Sequence, residues 1–146
     1  MTGRSVALLL ALALAADAVT AVAQSPPTLP PAITTAFRLT YPGATILHVS
    51  KERRDGQVVY EVESQDGPVR RDLLYDFNGQ TIEIEETIPA DSLPATVHTA
   101  VGRDAPGAAV VVVERVTSGA AISYEVQVRV SGRSRILTYD AAGRRQ

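Results

Sequence analysis

Tyr60-Glu61-Val62 occurs again as Tyr124-Glu125-Val126, 64 residues later, and the same shift carries much of the chain onto itself. Leu29-Pro30 recurs as Leu93-Pro94, Pro42-Gly43-Ala44 as Pro106-Gly107-Ala108, and Tyr75-Asp76 as Tyr139-Asp140. Thr35, Ala36, Val49, Arg71, Leu73 and Gly79 find Thr99, Ala100, Val113, Arg135, Leu137 and Gly143 at the same offset, with no gap. One shift that aligns prolines, glycines and apolar positions together reads as two copies of one structural unit.

Each copy reads as a helix followed by an antiparallel meander. Leu29, Ile33, Phe37 and Tyr41 recur at helical spacing, which predicts a helix over Pro30 to Thr40 with Thr28 as N-cap and Pro42-Gly43 as its stop. Strands are expected over Ala44 to Lys51, Gln57 to Ser64, Val69 to Asp76 and Gln80 to Glu86. Asp55-Gly56, Asp66-Gly67 and Asn78-Gly79 supply the turns, the last as a two-residue hairpin. Alternation points Val58, Tyr60 and Val62 one way and Val59, Glu61 and Glu63 the other. It sends Ile82 and Ile84 inward and Thr81, Glu83 and Glu85 outward. The second copy opens on Ser92 as cap and Leu93-Pro94, with strands over Val110 to Glu114, Ile122 to Val130 and Arg133 to Asp140. Its fourth strand is missing or only a stub after Gly143. A unit of about 60 residues buries little surface alone. The expected fold is therefore α+β, two tandem helix-plus-antiparallel-meander repeats joined edge to edge, with the helices packed on one face of the sheet.

The expected divisions are a signal peptide over 1–23, a linker over 24–28, a first repeat over 29–87 and a second over 88–146. Arg4 precedes the apolar run Val6 to Ala16, which is too short to span a bilayer, and Ala21-Val22-Ala23 is a small-x-small cleavage pattern before Gln24. That predicts export to a bacterial periplasm or exterior. With no cysteine, the chain has neither a disulfide framework nor an acyl-cysteine anchor, so no stable membrane attachment is expected.

A helix opening Leu-Pro-x-Ala, a Pro-Gly stop, a Tyr-Glu-Val strand and a Tyr-Asp-x-x-Gly hairpin together resemble the PepSY-like family over residues 29 to 143. The tandem layout is similar to the β-lactamase inhibitory protein architecture. The resemblance implies a secreted or periplasmic protein without catalytic activity, one that inhibits or chaperones a secreted enzyme such as a peptidase. The chain has no cysteine for that inhibitor's disulfides and few aromatic residues, so no inhibitor contact residues are transferred.

The residues themselves point the same way. His48 and His98 lie outside any His-Glu-x-x-His pattern, and there is no Gly-x-Ser-x-Gly. Asp76-Phe77-Asn78-Gly79 lacks the further acidic positions of a calcium loop and reads as a plain hairpin. No cofactor and no metal ligand set is expected. A formal net charge of −2 offers no general attraction for nucleic acid. Residues 24–87 carry six basic and ten acidic side chains, whereas 88–146 carry seven and five. That asymmetry suits a protein partner of complementary charge, or a homo-oligomer. The expected partner surface is the open sheet face, with Val59, Glu61, Glu63, Thr81, Glu83 and Glu85 from the first copy. Ser123, Glu125, Gln127 and Arg129 come from the second. Arg71 and Arg135 form a repeat-equivalent pair, read as structural in preference to ligand-facing. The alternative function is a small-ligand or cation-binding envelope protein that uses the acidic strands of the first copy.

Overall fold

The structure, a computed structural model, describes residues 28–146. The expected signal peptide, its cleavage site and most of the linker fall outside the described residues. Helix α1 (Pro31–Thr40) leads into strands β1 (Thr45–Arg54), β2 (Gln57–Asp66), β3 (Val69–Asp76) and β4 (Thr81–Thr87). After a single 3₁₀ turn over Ala90–Ser92 come α2 (Ala95–Asp104), β5 (Ala109–Ser118), β6 (Ala121–Val130) and β7 (Arg133–Asp140). The strands form one seven-stranded sheet in the order β1-β2-β3-β4-β5-β6-β7, every neighbouring pair antiparallel. The fold is thus α+β, and β4 pairs with β5, so the sheet is continuous.

Helix entry differs from the expected capping. Neither Thr28 nor Ser92 is the cap. Pro30 and Pro94 occupy that place with the same extended backbone, φ −54° and ψ 141°, and offer no side-chain acceptor. Pro30 cannot join the helix because Pro31 follows it, and a residue before proline is pushed out of the α region. Its carbonyl still accepts from Ile33 and Thr34 at 3.0 and 3.1 Å.

The hairpin between β3 and β4 also differs. Only Gly79 has positive φ there, +83°, while the Gly79 amide donates to the Asp76 carbonyl at 3.1 Å. The Asp76 carboxylate accepts from the Asn78 and Gln80 amides at 2.9 and 2.8 Å. The loop is therefore a tight turn extended by one left-handed glycine, not a two-residue Asn-Gly turn. The loop sets Tyr75 opposite Thr81, and a bulge at Ile82 then shifts the register so that Leu74 faces Glu83.

Two buried clusters carry the core. Ile33 and Phe37 of α1 lie with Tyr60, Val62, Leu73 and Tyr75. Val97, Ala100 and Val101 of α2 lie with Val113, Val126, Leu137 and Tyr139. Aliphatic side chains make up most of the second cluster, whereas the first gathers Phe37, Tyr60 and Tyr75 among its aliphatic residues. Strand pairing places these sheet residues in register with one another. Val62 faces Leu73, Leu73 faces Ile84, and Val126 faces both Val113 and Leu137.

The hairpins seat the helices. A methyl group on Gly79 would stand 2.7 Å from the Ala32 carbonyl oxygen, and one on Gly143 2.5 Å from that of Thr96. We expect Gly143→Ala to cost about 2 kcal/mol or more, since it adds backbone displacement to an unfavourable positive φ. Gly119→Ala, with positive φ but open space around it, should cost about half as much. Urea unfolding midpoints read the difference; equal losses would show that the close approach is not felt.

Equivalent tyrosines differ in their partners. The Tyr139 hydroxyl donates to the Asp104 carboxylate at 3.0 Å, whereas the buried Tyr75 hydroxyl has no hydrogen-bond partner among the described residues. Tyr139→Phe should lose about 1 kcal/mol and Tyr75→Phe close to none. Thermal unfolding of the two variants tests this, and an equal loss in both would contradict it.

Candidate functional site

The core fills one face of the sheet, and among the described residues no helix covers the other. On that open face the register lines up carboxylates. Glu63 faces Asp72 across β2 and β3, and Asp72 faces Glu85 across β3 and β4. Glu114 faces Glu125 across β5 and β6. Glu61 and Glu83 flank Leu74 one row away. Directly opposed like charges destabilise a sheet, so this face is arranged against its own stability.

Part of the charge is compensated. An Arg54 guanidinium nitrogen lies 3.1 Å from Glu83, and one of Arg70 lies 3.9 Å from Glu63. The Ser50 hydroxyl donates to Glu61 at 2.9 Å. Glu85 and Glu125 have no such partner among the described residues. Burial pushes the Glu85 carboxyl up to about 8, and the charges of Glu125, Glu114, Glu83 and Asp72 push the same way. Asp72 rises to about 6, first through burial, then through Glu63, Glu61 and Glu114, with Arg70 opposing. Glu114 and Glu125 are also raised, burial leading in both. Glu125 is only 7% exposed. A groove of about 370 Å³ crosses the β4–β5 seam here, lined by Asp72, Glu85, Glu114 and Glu125, with Val112 and Ile136 as its apolar wall.

The expected surface residues fare differently. Glu61, Glu63, Glu83, Glu85, Ser123, Glu125 and Gln127 do share the open face by register. Arg129 lies at its far end opposite Ser134. Val59 is on that face but buried, 2% exposed, between Glu52 and Asp76. Thr81 is a correction: the bulge at Ile82 leaves it on the side of the buried Tyr75. Arg71 and Arg135 are not on the open face. Arg71 donates to Glu86 at 2.6 Å and lies 4.9 Å from the Tyr41 ring centre, at the end of α1. Arg135 donates to the Asp104 carbonyl at the end of α2, at 2.8 Å. Both anchor a helix C-terminus to the sheet, where a cation is favoured.

Sequence reasoning missed Arg54, Arg70, Asp72, Glu114 and Ile136. Alternation could have found several of them, because inward Leu73 and Tyr75 leave Arg70, Asp72 and Leu74 outward. Inward Leu137 likewise leaves Ile136 outward. His48 is exposed on β1 opposite Glu63, and His98 is exposed on α2. Among the described residues, no group of three His, Cys, Asp or Glu side chains is placed to hold a metal ion.

An uncovered, carboxylate-lined antiparallel sheet with two short helices defines an α+β protein built on one continuous meander. The chain belongs to the family described as "Putative beta-lactamase-inhibitor-like, PepSY-like", whose model matches residues 19–83 and 60–144. Solved structures share the fold. One is described as a "putative periplasmic" protein from Bacteroides eggerthii DSM 20697. It is 15% identical with a TM-score of 0.67, covering 82% of this chain and 89% of that one. A DUF2874 family protein from Bacteroides uniformis ATCC 8492 is 16% identical with a TM-score of 0.64, covering 80% and 85%. A BLIP-like protein from Bacteroides fragilis NCTC 9343 is 22% identical with a TM-score of 0.60, covering 85% and 86%. No curated protein matches the chain.

The raised carboxyls set a pH dependence. Glu85 titrates near 8 when folded against an ordinary value of 4.5, so between those limits the folded state holds a proton that the unfolded chain has lost. Stability should therefore fall as pH rises through that window. The melting temperature should drop by about 3 °C or more between about pH 5 and pH 8.5. Glu85→Gln should flatten much of that slope. Calorimetry across pH checks it, and a melting temperature that rises with pH would contradict the reading. Below the window the sign reverses, because Asp104 and Asp140 are lowered by their arginine partners and lose those contacts when protonated.

Proposed function

We propose that this chain is an exported, non-enzymatic protein-binding module that modulates or inhibits a secreted or periplasmic enzyme, such as a peptidase. The observation that carries the proposal is the open sheet face. Its opposed carboxylates cost stability and are offset within the fold only in part, so a partner of opposite charge supplies what is missing. Membership in an inhibitor-like family supports the same reading.

Export rests on Arg4, the apolar run after it and Ala21-Val22-Ala23, with cleavage before Gln24. Among the described residues no helix is long and apolar enough to cross a membrane. We read the chain as a duplication, 29–87 and 88–146. The element bounds support this, since α1 and α2, β1 and β5, β2 and β6, and β3 and β7 are each displaced by 64 residues. The Arg144-Arg145-Gln146 end takes the place of an eighth strand: Arg145 bridges to Tyr139, and the Gln146 amide donates to the Thr138 carbonyl at 2.9 Å.

Cation binding in the envelope is the second reading. The raised carboxyls favour it and the absence of a converging ligand set among the described residues weighs against a compact ion. Ion-dependent rises in melting temperature would distinguish it.

The test is affinity capture from periplasmic extract at low and high salt, with the exported chain and a Glu63→Lys/Glu83→Lys variant as baits. We expect one exported enzyme to be retained at low salt, released at high salt, missed by the variant, and altered in turnover when the chain is added. Capture at neither salt, or equal capture by the variant, would overturn the proposal.

A further inference from the structure

The groove across the β4–β5 seam is more selective than an acidic surface. Glu125 lines it, a residue nine-tenths buried, raised by burial and without an ion pair or hydrogen bond among the described residues. Its carboxyl keeps an opening to the groove, so a cation that enters gives it the partner the fold does not supply. Glu63, Asp72, Glu85 and Glu114 line the same space with one cation, Arg70, and Val112 and Ile136 supply its aliphatic lining. The carboxylates are spread over five strands, with no three converging as a metal shell would require. An elongated cavity with separated carboxylates and an aliphatic wall matches a cationic head on an alkyl stem better than a compact ion.

We propose that this groove is a pocket for a lysine or arginine side chain of the partner polypeptide, its stem against Val112 and Ile136 and its charged head among Glu85, Glu114 and Glu125. The pocket rests on the protein-binding reading above and adds the chemistry of the partner's anchor. A polypeptide is chosen over a free amine because the open face beside the groove offers further acidic contacts, Glu61 and Glu83, outside its lining.

Entry of a cation favours the ionised carboxylates, so binding releases protons and strengthens as pH rises through neutrality. The groups that face Glu85 and enter this balance are Asp72 and Arg70 on β3, Glu83 on β4, Glu114 on β5 and Glu125 on β6. Glu63 on β2 lines the groove as well, and farther out on the same face are Glu61 on β2 and His48 and Arg54 on β1.

The experiment titrates the exported chain with an acetylated, amidated tetralysine peptide, followed by amide NMR shifts and by calorimetry in two buffers of different ionisation enthalpy. We expect saturable shifts centred on Glu114, Glu125, Gln127 and Ile136, with proton release at pH 7.5. The same peptide with acetylated lysines should bind at least about tenfold more weakly, a loss that an isosteric Glu125→Gln should match. Glu61→Gln, outside the groove, should bind nearly as the parent does. Absence of saturable shifts at the groove, or unchanged binding by Glu125→Gln, would overturn the proposal. So would magnesium or calcium alone reproducing the shifts, or spermidine binding more tightly than the peptide. Enzyme capture that fails in Glu63→Lys/Glu83→Lys but survives Glu125→Gln, with no peptide binding, would remove this pocket and leave the protein-binding reading standing.

Discussion

The antiparallel pairing of β4 with β5 is the constraint on which the rest depends. Each helix-plus-meander stretch buries little surface by itself, and each would present an unpaired strand edge at this point. Joining them satisfies that row of backbone groups and turns two small cores into one backed sheet. A charge ladder reinforces the seam on the core side. Arg71 of β3 faces Glu86 of β4, which faces Arg115 of β5, with contacts of 2.6 and 2.8 Å.

The same seam has an opposite character on the open side. One residue along, Glu63 of β2, Asp72 of β3 and Glu85 of β4 stand in succession, all of one sign, and Glu85 faces Val116 across the seam. Strand geometry makes this possible, since neighbouring residues face opposite ways and each face is free to have its own charge logic. The core side is arranged for stability. On the open side burial and mutual repulsion hold protons on carboxyls that would ordinarily have lost them. The groove lies over the seam, drawing Asp72 and Glu85 from one meander and Glu114 and Glu125 from the other, so neither could form it alone.

Much of this was legible before any coordinates. The helices end where Pro42-Gly43 and Pro106-Gly107 stop them, and β3 and β7 match the strands read from alternation. The inward apolar set was found because period-2 patterning registers directly which side is dry. Misreadings arose where backbone chemistry overrode a local signal. Pro30 and Pro94 displaced Thr28 and Ser92 as caps, both with the same extended backbone. Asp76, accepting from two amides, drew one more residue into the hairpin, and the bulge at Ile82 left Thr81 on the core side. Of the site, Glu85 and Glu125 were placed on the correct face, whereas Asp72, Glu114 and Ile136 were not named although the same alternation implied them.

By itself, the sequence determined the elements, their order and the polarity of each strand face, because these depend on local stereochemistry and on spacings of a few residues. Which carboxylates become neighbours was decided only by the tertiary structure. Strand register is a pairing between residues distant in the chain, and a slip of one residue exchanges the faces. Glu85 and Glu125 are unremarkable along the chain. They become raised acids over one groove because the fold removes water from them and brings like charges together.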